Sequence, residues 1–153
     1  MQVADVMTSA SVTESPGDSL RSAAETMWKQ QTGSLLVMDG DALVGIITER
    51  DVMKAVARGR DVEATPVSEI MTRDVLTVVP QTSLHEAARH MASRWVRHLP
   101  VMDGTTVVGV VSQRDLVGIF AALVQDDTGG TALPGDALVR SQRLARIEHG
   151  DLD

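Results

Sequence analysis

Cysteine and tyrosine are missing from this 153-residue chain, phenylalanine occurs once and tryptophan twice. Without cysteine there can be no disulfide, no thiol nucleophile and no Cys-ligated zinc or iron–sulfur centre. An aromatic share of 2% leaves no stacking platform for single-stranded nucleic acid. Basic residues are also scarce, 14 against 21 acidic ones, for a net charge of −7. That excludes a broad phosphate-backbone partner, because such binding is carried by clustered Lys and Arg. No apolar run approaches the roughly 20 residues that a membrane helix needs. The opening Met1-Gln2-Val3-Ala4-Asp5 lacks the basic region and apolar run of a secretory leader. The expectation is a soluble, cytoplasmic protein with neither nucleic acid nor membrane as partner.

Patterns of catalysis are lacking as well. His85, His90, His98 and His149 show no metal-ligand spacing such as H-E-x-x-H. No serine stands in a G-x-S-x-G elbow, and there is no GxxxxGKS/T phosphate loop. The residues predict no catalytic group, no metal and no enzyme.

What the chain does have is itself, twice. Apolar residues make up 43% of it, including eight Met, so its core is aliphatic. A shift of 64 positions aligns Met7-Thr8 with Met71-Thr72, Pro16 with Pro80 and Ser19-Leu20 with Ser83-Leu84. The same shift carries Ala23-Ala24 onto Ala87-Ala88, and Val37-Met38-Asp39-Gly40 onto Val101-Met102-Asp103-Gly104. A tandem duplication is the economical explanation, and such repeats decide the fold.

Each copy predicts the same order of elements. Ser11-Val12-Thr13 and Val75–Val79 favour short strands stopped by Pro. Leu20, Ala23, Ala24, Met27 and Trp28 have the spacing of one helix face. Leu84, Ala87, Ala88, Met91 and Ala92 repeat it, with Thr82 or Ser83 available as N-cap. Two apolar runs then flank Asp39-Gly40, and again Asp103-Gly104, a strong hairpin signal. Pro100 within a strand suggests an edge position, or a strand start near a ligand. Helices follow over 49–58 and 113–124. The fold class is α+β (α/β by some schemes), two βαββα repeats over 1–60 and 61–125. Residues 126–153 read as a linker, then a short helix near Ala137–Ile147 or a disordered tail.

Each copy closes on Gly-x-x-Thr/Ser-x-Arg-Asp: Gly45 to Asp51, then Gly109 to Asp115. A helix start presents N–H groups and the positive end of the helix dipole, which suits an anion. An Asp one turn along can accept from a sugar diol, as the ribose-binding acid of dinucleotide folds does. Thr48-x-x-Asp51 and Ser112-x-x-Asp115 also fit capping boxes, which need no ligand. Both readings stand on the residues alone.

In this order, Asp5-Val6-Met7-Thr8, Glu69-Ile70-Met71-Thr72, Arg97-His98-Leu99-Pro100-Val101 and the two closing motifs resemble a tandem pair of CBS domains, a Bateman module. The resemblance spans residues 1 to about 124. It implies two repeats in pseudo-twofold arrangement, their sheets packed face to face, with up to two clefts for adenosyl ligands. Carried over, it assigns ribose to Thr48 and Asp51 in one cleft, and to Ser112 and Asp115 in the other. It places phosphate near Arg97 and His98, with Arg50 and Arg114 in support. A guanidinium suits that role through its planar pair of donors. Adenine would lie against Val12, Thr13, Gly33, Ser34, Val78 and Val79. Where the second repeat has Arg97-His98, the first has uncharged Gly33-Ser34, so the clefts should differ. The ligands implied are AMP, ADP or ATP, with S-adenosylmethionine or NAD as other adenosyl candidates. A homodimer and a separate regulated protein are the implied partners. A structural dimerisation module with degenerate clefts is the alternative.

Overall fold

The computed structural model describes residues 1–9 and 12–126. The expected helix near 137–147, the linker before it and Ser11 lie outside the described residues. The elements in order are β1 (Thr13–Glu14), α1 (Leu20–Gln30), β2 (Ser34–Asp39), β3 (Ala42–Thr48) and α2 (Glu49–Ala57), followed by α3 (Leu84–Arg94), β4 (His98–Asp103), β5 (Thr106–Ser112) and α4 (Gln113–Asp126). Short 3-10 turns at Val3–Asp5 and Val67–Glu69 begin the two repeats.

The chain forms two compact units that exchange their opening segments. One comprises Met1–Ser9 with the chain from Thr77 onward, the other Ala10–Leu76. In the Ala10–Leu76 unit, β1 runs parallel to β2, which pairs antiparallel with β3. Thr72, from the start of the second repeat, exchanges backbone hydrogen bonds with Ile46 of β3, at 2.9 and 3.0 Å. Its core gathers Leu20, Ala23, Met27, Leu35, Val37, Ile47, Ala55, Val67 and Met71. In the other unit, β4 pairs with β5, and Thr8 bonds Val110 in the same reciprocal way. Val3, Val6, Val78, Ala87, Met91, Leu99, Val101, Val111 and Ile119 are among its buried residues. The two Met-Thr pairs thus serve the sheets of the repeats they do not open.

Local chemistry accounts for the boundaries. Ser19 caps α1 by accepting from the Ser22 N–H, and Ser83 caps α3 by accepting from Glu86. Thr82, the other cap candidate, accepts from the Val79 N–H instead. Gly40 and Gly104, at φ +58° and +60°, take the first central position of two-residue hairpin turns, where a side chain would be strained. Both hairpins carry a register irregularity after Val37 and Val101.

Three expectations need correction. The strand expected over 75–79 shrinks to a single parallel bridge between Val78 and Val101. Pro100 occupies the place of Leu36, which pairs with Thr13 in the first repeat, and proline has no N–H to extend the ladder. Trp28, predicted on the core face of α1, is 58% exposed. The buried stripe is narrower, formed by Leu20, Ala23 and Met27. In α3, Ala88 and Ala92 likewise face outward, leaving Ala87 and Met91 buried.

The equivalent of Val78 in the first repeat is Glu14, a carboxylate only 5% exposed. Burial pushes its pKa up from the ordinary value of 4.5, and the neighbouring Asp18 adds to this by hydrogen bond and by charge. The Thr26 and Ser22 hydroxyls pull partly the other way. Its proton is therefore held more tightly in the folded chain than in the unfolded one. The stabilisation that follows is complete below 4.5 and is lost as pH rises through the raised native value. Glu14→Gln should raise the melting temperature at pH 7, with the gain shrinking to nothing in acid. A constant difference across that range would show that the charge is not what matters there.

Candidate functional site

Each unit brings its candidate residues to one end of its hairpin. In the Ala10–Leu76 unit, Ser34 opens β2 opposite Thr48, the last residue of β3. The Gly33 carbonyl accepts from the Glu49 N–H at 3.0 Å, tying the entry of β2 to the start of α2. Thr48 is the N-cap of α2 and Asp51 lies in its first turn. Thr13 pairs with Leu36, two residues along β2 from Ser34, and Val12 packs against the core. The other unit repeats this. His98 pairs with Ser112, the Arg97 carbonyl accepts from the Gln113 N–H at 2.8 Å, and Asp115 lies in the first turn of α4. Val78 is less well placed. It pairs three residues beyond His98, about 10 Å along β4, and Val79 is further on and 51% exposed.

The hydroxyl and carboxylate pairs form capping boxes. Asp51 Oδ2 accepts from the Thr48 N–H and the Thr48 hydroxyl, both at 2.9 Å, while Thr48 Oγ1 accepts from the Asp51 N–H at 3.3 Å. Asp115 Oδ2 accepts from the Ser112 N–H at 2.8 Å, and Ser112 Oγ accepts from the Asp115 N–H at 3.2 Å. Of the first four N–H groups at the α2 start, three therefore have partners: Thr48, Glu49 and Asp51. Among the described residues, only the Arg50 N–H finds no partner there, and at α4 only that of Arg114. The anion seat expected at the helix starts is thus mostly filled by the chain's own acceptors. Of the phosphate candidates, Arg50, Arg97 and Arg114 are exposed and His98 is half-buried.

The two carboxylates differ in access. Asp115 is 3% exposed, beside Ser112 at 6%, whereas Asp51 and Thr48 are only part-buried. All the Asp51 side-chain bonds use Oδ2, leaving Oδ1 outside the box. Asp51 also borders a cavity of about 330 Å³, lined by Lys54, Ala55, Arg58, Arg60, Glu69 and Ile70 as well. Sequence reasoning passed over these cations. Their signal was the spacing of Arg50, Lys54 and Arg58, which sets them along one side of a helix. Among the described residues, no group of three His, Asp or Glu side chains could hold a metal ion, and no helix is long and apolar enough to cross a membrane.

The sequence model of the CBS domain matches residues 3–58 and again 67–122. The chain belongs to the CBS domain family. Its two CBS repeats are 34% identical over 132 residues to the CBS domain-containing protein YhcV of Bacillus subtilis, an overlap of 86% of this chain and 91% of that one. The crystal structure of the CBS-domain containing protein ATU1752 from Agrobacterium tumefaciens covers 78% of this chain and 99% of its own, with 29% identity and a TM-score of 0.73. The CBS domain pair of protein MJ0100, solved in complex with 5′-methylthioadenosine and S-adenosyl-L-methionine, is 30% identical. It covers 79% of this chain and 96% of its own, again with a TM-score of 0.73.

Proposed function

We propose that this CBS pair is an adenosyl-nucleotide-binding regulatory module that modulates a separate protein. The observation that carries the reading is the likeness to a CBS pair solved with two adenosyl compounds, in a chain that keeps a hydroxyl and a carboxylate at both helix starts. Thr48 and Asp51 serve the ribose in one unit, Ser112 and Asp115 in the other. Arg97, His98, Arg50 and Arg114 serve phosphate, while Val12, Thr13, Gly33, Ser34, Val78 and Val79 are the adenine candidates. AMP, ADP or ATP is the ligand class, with S-adenosylmethionine or NAD as alternatives. The module acts as a homodimer in the cytoplasm, twofold pairs being the commonest closed assembly. A ligand of this kind acts only through its differential affinity for two conformations of the protein.

A second reading is favoured by the capping boxes. If Thr48, Asp51, Ser112 and Asp115 do no more than stabilise helices, the chain is a structural interaction module. Calorimetric titration with AMP, ADP, ATP, NAD and S-adenosylmethionine separates the two. The regulatory reading expects heat from at least one of the five, saturating at one or two sites per chain. Folded protein that gives none with any of them leaves the structural module.

A further inference from the structure

We infer that the groove along α2 holds the phosphate end of a ligand whose sugar sits at Asp51. This deepens the adenosyl reading and rests on it. The unit Ala10–Leu76 is acidic, eleven carboxylates against seven cations, yet four of those seven fall between 50 and 60. Asp51, Lys54, Ala55 and Arg58 lie at i, i+3, i+4 and i+7, one face of α2 and about 10 Å long. Opposite stand Glu69 and Ile70, from the segment that opens the second repeat, and between them lies the cavity of about 330 Å³. That is the lower end of the range for small-molecule pockets, roughly 300–1,000 Å³.

The chemistry of the groove is graded. Its floor includes buried Ala55 and part-buried Ile70. Arg60 is paired with Glu69, which neutralises both. Lys54 and Arg58 are exposed and form no ion pair among the described residues. A carboxylate with one oxygen outside its capping box thus borders the same cavity as two unneutralised cations. Sugar hydroxyls suit the first, and a phosphate chain suits the second. Cations in the last helical turn also complement the helix dipole, which explains either residue alone. It does not explain a cavity beside them, or their absence from the second repeat. There the equivalent positions are Gly118 and Ala122, with Val124 in place of Arg60. Beyond the shared Arg50 and Arg114, the repeats thus differ in where their cations lie, the first along its closing helix and the second at Arg97-His98, where β4 begins.

The test is calorimetric titration of the full chain with adenosine and with ADP. The variants are Lys54→Ala/Arg58→Ala and an equal-charge control, Lys29→Ala/Arg73→Ala, with circular dichroism to check folding. The double variant should weaken ADP at one site at least tenfold and change adenosine less than twofold, while the control changes neither. ADP bound as tightly as by wild type, adenosine weakened to the same degree, or an equal loss in the control would each overturn the inference and leave the adenosyl reading standing. Wild-type protein that binds neither adenosine nor ADP would overturn the inference, and the adenosyl reading falls with it only where AMP, ATP, NAD and S-adenosylmethionine give no heat either.

Discussion

Replacing Gly109 by alanine should destabilise the protein by about 2 kcal/mol. A Cβ at that position would meet the Thr8 carbonyl oxygen at 2.8 Å and the Met7 sulfur at 2.9 Å. Both belong to the opening segment that pairs with β5 through Val110. The sulfur ends a flexible side chain and can move, but the carbonyl is fixed by the reciprocal Thr8–Val110 bonds. Overpacking costs roughly 1–3 kcal/mol, and a clash with fixed backbone belongs at the upper end of that range. Alanine recovers part of that, about 0.5–1 kcal/mol, because glycine loses more backbone freedom in a strand. For a chain of this size the net loss lowers the melting temperature by about 4–8 °C. Gly45→Ala should cost less, since its closest neighbours are the Sδ and Cγ of Met71, at 2.5 and 2.9 Å, with the Thr72 carbonyl at 3.0 Å. Gly17→Ala, with nothing within 4 Å, should be neutral or slightly stabilising, since alanine restricts the unfolded chain. A Gly109→Ala protein as stable as wild type would mean that the opening segment does not lie against β5 in solution.

The elements were legible because local chemistry decides them. Ser83 caps α3 where the sequence offered Thr82 or Ser83, and Asp-Gly marked both hairpins. Two features were not legible. Nothing local says that Met7-Thr8 and Met71-Thr72 pair with the repeats they do not open, because a duplicated sequence fits its own sheet and its twin's equally well. The glycines of the closing motifs were the available trace, since Gly45 and Gly109 stand where the exchanged segments cross. Trp28 misled because helical periodicity fixes angle and not depth. At i+8 from Leu20 it falls at the margin of a stripe that only three residues fill.

The site was legible in position but ambiguous in role. The closing motif fits a cap and a ligand seat equally well, because both need an acceptor at a helix start. The folded chain adds the bonds, and these go to the cap first. They also add what no motif carried, the cavity beside Asp51 and the cations on its rim. Those residues come together only when α2 packs against the segment 67–70, a pairing sixteen or more residues apart from Asp51 in sequence.

Asp51→Asn and Asp115→Asn decide whether the boxes also serve a ligand. The amide keeps one oxygen that can accept from the Thr48 or Ser112 N–H, so the helix start survives. The loss of charge near a helix N-terminus costs about 0.3–1 kcal/mol. A ribose diol, by contrast, donates two hydroxyls to a carboxylate, and an amide nitrogen cannot accept either of them. A charge-assisted hydrogen bond contributes about 1.5–3 kcal/mol, and each 1.4 kcal/mol is tenfold in affinity. Each variant should therefore weaken one adenosyl binding event roughly 10- to 100-fold while the melting temperature falls by only a few degrees. Asp115 is the more buried of the two, so its substitution should cost more stability, and Asp51→Asn is the cleaner probe of binding. Two variants that melt lower yet titrate like wild type would identify both carboxylates as caps alone. The ribose assignment would then be wrong, and the cations along α2 would have no sugar end to extend.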